Sequence, residues 1–396
     1  MSRTNKLLIA ASLIYALSAT AQTSEQFNRF ADEIGSRNTG IKASQMNKQA
    51  RVSELRTTNQ LDDPEVGFTH QWGQRGIGTK WSVGITQSFE WPGVYSSRSN
   101  EIKATERAEN FMEESEIMDI RTAIKQTMIE IIKEKQRLAL AEEALGRIDS
   151  LSVVYNRGAS LGEISRLDVN KLKIERINAN KNCIDARNAL SDAVDRLTAL
   201  NGGEDCGSIV ENLCSFPDEN LLPLDVYLEN ARTRNPLLHY AAARAEALNY
   251  KAKTTKNSRI PGFSLGYSHD YELGEHFNGL TVGLTLPVFS TRRKMAQVNA
   301  ERMAISAERN DTEVSMTSEI ESAHRQITLL DGEIARLREV LDKDDSRRLL
   351  DIALKAGHIS LITYLTEMNY FIEARMNELD LRYTRSMLIT GLSRWN

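Results

Sequence analysis

The sequence is short of the residues from which catalytic and redox sites are usually built. It has three cysteines, six histidines and seven prolines in 396 residues. The histidines are scattered. No His-Glu-x-x-His or Gly-x-Ser-x-Gly pattern with fitting surroundings occurs, so metalloprotease and hydrolase chemistry have nothing to stand on. Nothing in the chain implies a cofactor. Clusters of basic residues are missing too: 50 Lys and Arg are spread among 54 Asp and Glu, for a formal charge of −4, which leaves nucleic acid no patch to bind. Beyond the first residues no stretch approaches the roughly 18 apolar residues of a helical membrane span.

The N-terminus sets the expected compartment. Arg3 and Lys6 precede an apolar run, Leu7 to Leu17, broken only by Ser12, and Ala19-Thr20-Ala21 has the small-x-small pattern of a cleavage site. The run is too short to span a bilayer, which takes about 20 residues. A signal peptide over residues 1–21 is expected, with Gln22 as the mature start and no cysteine nearby for a lipid anchor. An exported chain without a helical span is periplasmic, secreted or inserted as a β-barrel. Cys183 lies in a helical pattern and reads as a small buried apolar residue. Cys206 and Cys214 flank a short connector, and an oxidising compartment allows a local disulfide between them. No histidine nearby completes a metal-ligand set around them.

The chain repeats itself. Val66-Gly67-Phe68-Thr69-His70-Gln71-Trp72 recurs 199 positions on as Leu265-Gly266-Tyr267-Ser268-His269-Asp270-Tyr271, and Val83-Gly84-Ile85-Thr86 recurs at the same offset as Val282-Gly283-Leu284-Thr285. Gly162-Glu163-Ile164-Ser165 recurs 195 positions on as Gly357-His358-Ile359-Ser360. The second copy has lost four residues in between, about one helical turn, which predicts helix there. The repeats span residues 22–203 and 224–396, with hairpins near 64–90 and 262–288. A linker, 204–223, joins them after the helix-stop sequence Asn201-Gly202-Gly203. Each copy reads in one order: a helical run (Ser24 to Asn59; Leu224 to Lys256), two strands, a long helical run (Ser97 to about Arg157; Thr291 to about Lys355), a Gly-marked break, and a returning helix.

The strand segments alternate. One face carries Val66, Phe68, His70 and Trp72, then Trp81, Val83, Ile85 and Phe89; the second hairpin matches it with Phe263, Leu265, Tyr267 and Tyr271, then Leu280, Val282, Leu284 and Leu286. The other face is Gly, Ser, Thr, Gln and Asp. Strands of about ten residues, apolar outward and small or polar inward, fit a tilted transmembrane strand. On that reading Phe68, Ile85, Leu265 and Leu284 face lipid, and Trp72, Trp81 and Trp91 fall where interface girdles belong. A soluble half-buried sheet alternates in the same way. In lipid, however, four strands cannot close a barrel, which needs at least about eight, so the chain must oligomerise there. Three copies would supply 12 strands.

The long run from Ser97 to Arg157 holds Gly146 but no proline, and would rise roughly 90 Å at about 1.5 Å per residue. Its apolar positions Ile117, Ile120, Ile124, Ile131 and Leu138 follow three-and-four spacing, as do Leu172, Ile177, Ile184, Leu190, Val194 and Leu197 on the returning run, a pattern of antiparallel coiled-coil pairs. An ordinary helical bundle would share the pattern but not the hairpins at matching places in both copies. Gly162 and Gly357 mark where each long run ends, because glycine most readily takes the left-handed conformation that stops a helix. The six exposed turn residues Leu161, Gly162, Glu163, Ala356, Gly357 and His358 are the expected docking rim for a partner.

With the repeats, hairpins and glycine breaks in view, the chain resembles the TolC-type outer-membrane efflux proteins over nearly all its length after the leader. Tyr155 through Asp168 and Ala356 through Thr366 are similar to that family's periplasmic tip motifs. Gln87-Ser88-Phe89-Glu90-Trp91-Pro92-Gly93 is similar to the strand-to-helix junction of its heavy-metal, CzcC/CusC-like branch. The resemblance implies a mixed α+β membrane protein: a trimeric β-barrel with four strands per chain, continued by a long antiparallel α-helical coiled-coil tunnel. It implies a homotrimer in outer-membrane lipid, a periplasmic adaptor (membrane fusion) protein on the tip, and an inner-membrane transporter feeding it. The implied function is a passive exit duct of a tripartite efflux pump, for small molecules or metal ions, with no bond chemistry. A type I secretion duct for polypeptides and a non-transporting periplasmic scaffold stay open as alternatives. Asp168 falls where the family's first repeat has a tip aspartate. Thr363 and Thr366 fall where the second has its ring aspartates, and Ile359 falls on the basic partner position. Glu367 and His358 lie nearby, out of register. Asp168, Thr363, Thr366 and Glu367 are therefore the expected constriction, without the family's full electrostatic latch.

Overall fold

The structure, a computed structural model, describes residues 24–73, 78–287, 291–343 and 346–395. The expected leader lies outside them. In chain order the elements are α1 (Ser24–Arg37), α2 (Thr39–Thr57), β1 (Glu65–Trp72), β2 (Thr79–Phe89), α3 (Pro92–Ser160), α4 (Arg166–Leu200) and α5 (Gly207–Asn212). Then come α6 (Leu224–Arg234), α7 (Pro236–Asn257), β3 (Gly262–Glu272), β4 (Glu275–Thr285), α8 (Thr291–Lys343), α9 (Ser346–Lys355) and α10 (Leu361–Leu392), closed by a 3-10 turn at Ser393–Trp395. The first long run is one helix of 69 residues that continues through Gly146. None of the described helices is long and apolar enough to cross a membrane.

The four strands form one antiparallel sheet in the order β1-β2-β3-β4. Its register keeps the alternation of the sequence on one face: Val66 opposes Ile85, Phe68 opposes Val83, Ile85 opposes Tyr267, and Leu265 opposes Val282. Thr69 opposes Ser82 and Gly84 opposes Ser268 on the other. Leu273 and Gly274 both take positive φ (54° and 92°), the two-residue turn whose twist matches a hairpin.

The chain divides into two compact units, and each draws on both repeats. One comprises residues up to Lys42, Ile117–Ala231 and Thr317–Asn396. Its core gathers Phe27, Ala31 and Ile34 of α1, Ile124, Met128, Ile131 and Ile132 of α3, and Ala193 and Leu197 of α4. Ile209, Leu213 and Phe216 join them, so the linker between the repeats is packed rather than loose. Along α3 and α4 the ion pairs Asp149–Arg176, Glu142–Arg187 and Glu130–Arg196 descend one helix as they climb the other, the signature of an antiparallel pair. Arg338–Glu378 and Asp331–Arg385 do the same for α8 and α10.

The other unit comprises Ala43–Glu116 and Arg232–Met316 and carries the sheet. Lys48–Glu113, Arg51–Glu109 and Arg56–Glu106 line α2 along α3, and Arg107–Glu246 and Lys251–Glu301 hold α7 between the two long helices. Asn257 donates to the Gly93 carbonyl (2.9 Å) and the Ser97 hydroxyl (2.7 Å), which fixes the helix start that follows the hairpin.

Three sequence expectations need correction. The helical runs leading into the hairpins are each broken, at Asn38 and Asn235. Asn38 caps α2, its Oδ1 accepting from the Ile41 amide (3.0 Å) while Nδ2 donates to the Leu200 carbonyl (2.7 Å). Asn235 caps α7 by accepting from the Leu237 amide (2.9 Å), with Pro236 at the first helical position, where its missing N–H costs nothing. Both asparagines are buried, so each break is fixed by packing as well as by capping. Lastly, the structure does not join Cys206 and Cys214. Both are free: Cys206 faces the core beside the Thr198 hydroxyl, while Cys214 is exposed on the far side of α5. The short helix between them turns the two side chains to opposite environments.

Candidate functional site

Two turns of matching geometry occur, one after the long α3 and one after the ten-residue α9. Gly162 has φ 78° and Gly357 has φ 72°, both in the left-handed region. At the first, the Glu163 amide donates to the Gly158 carbonyl (2.9 Å) and the Gly162 amide to Ala159 (3.2 Å). At the second, the His358 amide donates to Ala353 (2.9 Å) and the Gly357 amide to Leu354 (3.1 Å). These paired bonds satisfy the last carbonyls of the helix and reverse the chain. Serine then restarts it in both copies, Ser165 Oγ accepting from the Leu167 amide and Ser360 Oγ from the Thr363 amide, each at 3.1 Å. A Cβ at Gly162 or Gly357 would meet nothing within 4 Å, so the turns need glycine for its backbone and not for space. Leu161, Gly162, Glu163, Ala356, Gly357 and His358 are all exposed.

The expected constriction residues sit differently from one another. Asp168 is half-buried in the first turn of α4, near Tyr155, whose hydroxyl is pushed above its ordinary range by burial and by the Asp168 charge. Thr366 and Glu367 are exposed on α10. The Thr363 hydroxyl lies 2.9 Å from Ser360 Oγ, so it belongs to the helix cap.

Just behind the second turn lies a polar network that sequence reading missed. Glu143 of α3 receives Arg147 from one turn away and Arg347 from α9, each at 2.7 Å. Burial by itself would raise the Glu143 carboxyl, but the two guanidiniums hold it below the usual carboxylate range. The Tyr364 hydroxyl donates to Asp351 Oδ1 at 2.7 Å, and burial together with that bond pushes its pKa up to about 12. Arg347 also lies over the Phe371 ring, 4.7 Å from its centre. The network ties the long helix of the first repeat to the tip of the second. Glu143 and Arg347 stand 204 positions apart, so periodicity gave no signal for the pair.

On the sheet, Phe68, Ile85, Leu265 and Leu284 share one face and are exposed, as are Val66, Leu280 and Val282 beside them. Trp72 and Trp81 stand at the hairpin end of that face with His70, His269, Tyr271 and His276. There Trp81 stacks on Tyr271 (5.8 Å between ring centres) and His269 on His276 (5.2 Å). Trp91 lies beyond the opposite end of β2. β1 and β4 each leave one edge unpaired. Among the described residues no group of three or more His, Cys, Asp or Glu could hold a metal ion.

No family model and no curated protein matches this sequence. Solved structures do. A membrane protein from Pseudomonas aeruginosa matches with a TM-score of 0.76 at 16% identity, over 94% of this chain and 90% of its own. The outer membrane channel CmeC of Campylobacter jejuni matches at 0.76 with 12% identity, over 93% and 85%. CusC, described in terms of folding and transmembrane channel formation, matches at 0.69 with 15% identity, over 93% and 91%. The chain therefore has a TolC-like fold, that of outer-membrane channels with four antiparallel strands and long helices per chain. CusC stands no nearer than the other two, so the fold does not single out the heavy-metal branch.

Proposed function

We propose that this protein is the outer-membrane subunit of a tripartite efflux pump, a passive exit duct from the periplasm for small molecules or metal ions. The observation that carries the reading is the sheet. Its apolar face is exposed on every strand, and its two edges are open, within a fold shared along nearly the whole chain with outer-membrane channels. An open edge in lipid strands unpaired amides at several kcal/mol each, so the sheet must continue into other copies. Three copies give a 12-strand barrel, in which Phe68, Ile85, Leu265 and Leu284 face lipid and the Gly, Ser and Thr face lines the lumen. The partners of this reading are a homotrimer, outer-membrane lipid, a periplasmic adaptor docked on the six rim residues, and an inner-membrane transporter behind it. Asp168, Thr363, Thr366 and Glu367 lie at or within about one to two helical turns of that rim, where a constriction would fall. Mass measurement on the detergent-extracted protein tests the assembly: a trimer is expected, and a monomer or dimer as the sole folded species refutes it. Deletion of the gene should sensitise cells to exported compounds, with metal salts and organic drugs assayed side by side.

A further inference from the structure

The hairpin end of the sheet's apolar face holds a pair of histidines that the duct reading does not use. His269 stands on β3 and His276 on β4, and His269 Nε2 lies 3.1 Å from His276 Nδ1. We propose that these two imidazoles form a binding site for a divalent transition-metal ion, Cu(II) ahead of Ni(II) and Zn(II). The site needs only the β3–β4 hairpin, so it stands apart from the duct reading and from whatever the duct carries.

The backbone brings the pair together. His269 opposes Asn278 and His276 opposes Tyr271, so the two histidines are diagonal neighbours on one face. The Leu273-Gly274 turn, with positive φ at both residues, locks that register. Each ring rests against an aromatic one: His269 lies 5.7 Å from Trp81 and His276 lies 5.1 Å from Tyr271, centre to centre. His276 and Asn278 are exposed and His269 is half-buried, so an ion reaches the pair without disturbing any core. Asp270, Glu272 and Glu275 fall on the opposite face by alternation. The site therefore offers nitrogen ligands, with water to fill the remaining positions.

Hydrogen bonding sets the tautomer. Asn278 Oδ1 can only accept, and it takes the Tyr267 hydroxyl and the His269 Nδ1–H, each at 2.8 Å. The proton of neutral His269 is therefore on Nδ1, and Nε2 carries the free lone pair. An imidazole backed at one nitrogen by an amide oxygen and open at the other is oriented as metal-ligating histidines are. Without an ion, His276 Nδ1–H donates to that lone pair. When an ion enters, the His276 proton moves to its own Nε2, and the neutral pair loses none. At metal–nitrogen distances of about 2.0–2.1 Å, the 3.1 Å separation subtends roughly 95–102°, between the octahedral and tetrahedral angles. The χ2 torsion of histidine is soft, so each ring can swing its lone pair onto the ion. Nitrogen ligands disfavour Mg(II) and Ca(II), which take oxygen, and the order of divalent affinities puts Cu(II) first.

Copper titration of the detergent-extracted full chain tests the site, read by calorimetry and by electron paramagnetic resonance. Cys214→Ala serves as the parent, because that thiol is exposed and would bind copper itself. A single Cu(II) per chain should bind with nitrogen coupling from two imidazoles, and excess Mg(II) should not displace it. His269→Gln and His276→Gln should each abolish this binding, whereas His70→Gln should leave it unchanged. Asn278→Leu keeps both ligands but removes the amide behind His269, and should weaken Cu(II) binding about 10–100-fold. No copper bound by the parent, or unchanged affinity in either His269→Gln or His276→Gln, overturns the site. So does a parent spectrum without coupling to two nitrogens, which decides the matter even where a variant fails to fold.

Discussion

Replacing Gly162 and Gly357 in turn by alanine, asparagine and valine separates what the turns need from what the rim does. Both glycines sit at φ above 70° with nothing within 4 Å of where a Cβ would be, so the whole cost of a side chain is conformational. A left-handed backbone costs an ordinary residue about 1–2 kcal/mol. Alanine should therefore lower stability by about that much per turn, asparagine by less because its side chain suits this region, and valine by most because it is β-branched. Gly158 is the steric control. A Cβ there would lie 2.4 Å from Ile164 Cδ1, so Gly158→Ala should cost about 1–3 kcal/mol by overpacking and lose that cost when combined with Ile164→Ala. Thermal unfolding of the detergent-extracted protein by circular dichroism reads the series. If alanine at Gly162 is no worse than asparagine, the conformational account fails. Export reads the rim separately. Gly357→Asn should keep near-normal stability yet impair export, since it puts a side chain into the space offered to a partner. A stable Asn variant that exports normally refutes the docking role.

Other outcomes follow from the same geometry. Arginine at Phe68, Ile85, Leu265 or Leu284 should cost about 2–4 kcal/mol near the bilayer midplane. On the duct reading, arginine at Thr69 on the opposite face should cost far less, and equal heat stability of the two sets would contradict the assignment of faces. Glu143 is held ionised below its ordinary pKa, so its contribution is complete above the ordinary carboxylate range and is lost as pH falls through the lowered value. Glu143→Gln should flatten that part of the acid stability profile, and a parallel profile would exclude Glu143 as its source. Of the three thiols only Cys214 should react with a maleimide in the native protein, with Cys183 and Cys206 following on unfolding. Immediate labelling of two or more would contradict the burial.

Much of the fold could be read in the sequence because three periodic signals agreed: alternation over the hairpins, three-and-four spacing in the helices, and recurrence at 199 and 195 positions. The register confirms the strand faces because a slip of one residue would have turned Phe68, Ile85, Leu265 and Leu284 to the other side. Gly162 and Gly357 were legible because positive φ at a helix end asks for glycine. The breaks at Asn38 and Asn235 left fainter traces, an asparagine before Thr39-Gly40 and an Asn-Pro pair, inside otherwise continuous helical patterns. The Cys206–Cys214 spacing allowed a bridge, but spacing cannot say that α5 turns one thiol inward and the other out. The network at Glu143 was invisible for a different reason. It joins positions of the two repeats that are not images of one another, so neither periodicity nor recurrence points to it.

That asymmetry bears on how a closed tip would be held on the duct reading. The turns at Gly162 and Gly357 are alike, yet the acidic positions expected behind them are not, with Asp168 in the first repeat and Thr363 and Thr366 in the second. The Thr363 hydroxyl is already engaged in the cap of α10. The second tip is tied to the first repeat by Arg347 on Glu143 and by Tyr364 beside Arg147, and its two helices are tied together by Tyr364 on Asp351. The Arg347–Glu143 pair is more than a third exposed on both sides, and exposed ion pairs are worth about 0–1 kcal/mol. Tyr364 is 3% exposed, so its hydrogen bond to Asp351 is the costlier one to leave unmade. A movement that separates the second tip from α3 would therefore break the Tyr364–Arg147 contact as well as the Arg347–Glu143 pair, while leaving Tyr364 on Asp351 intact.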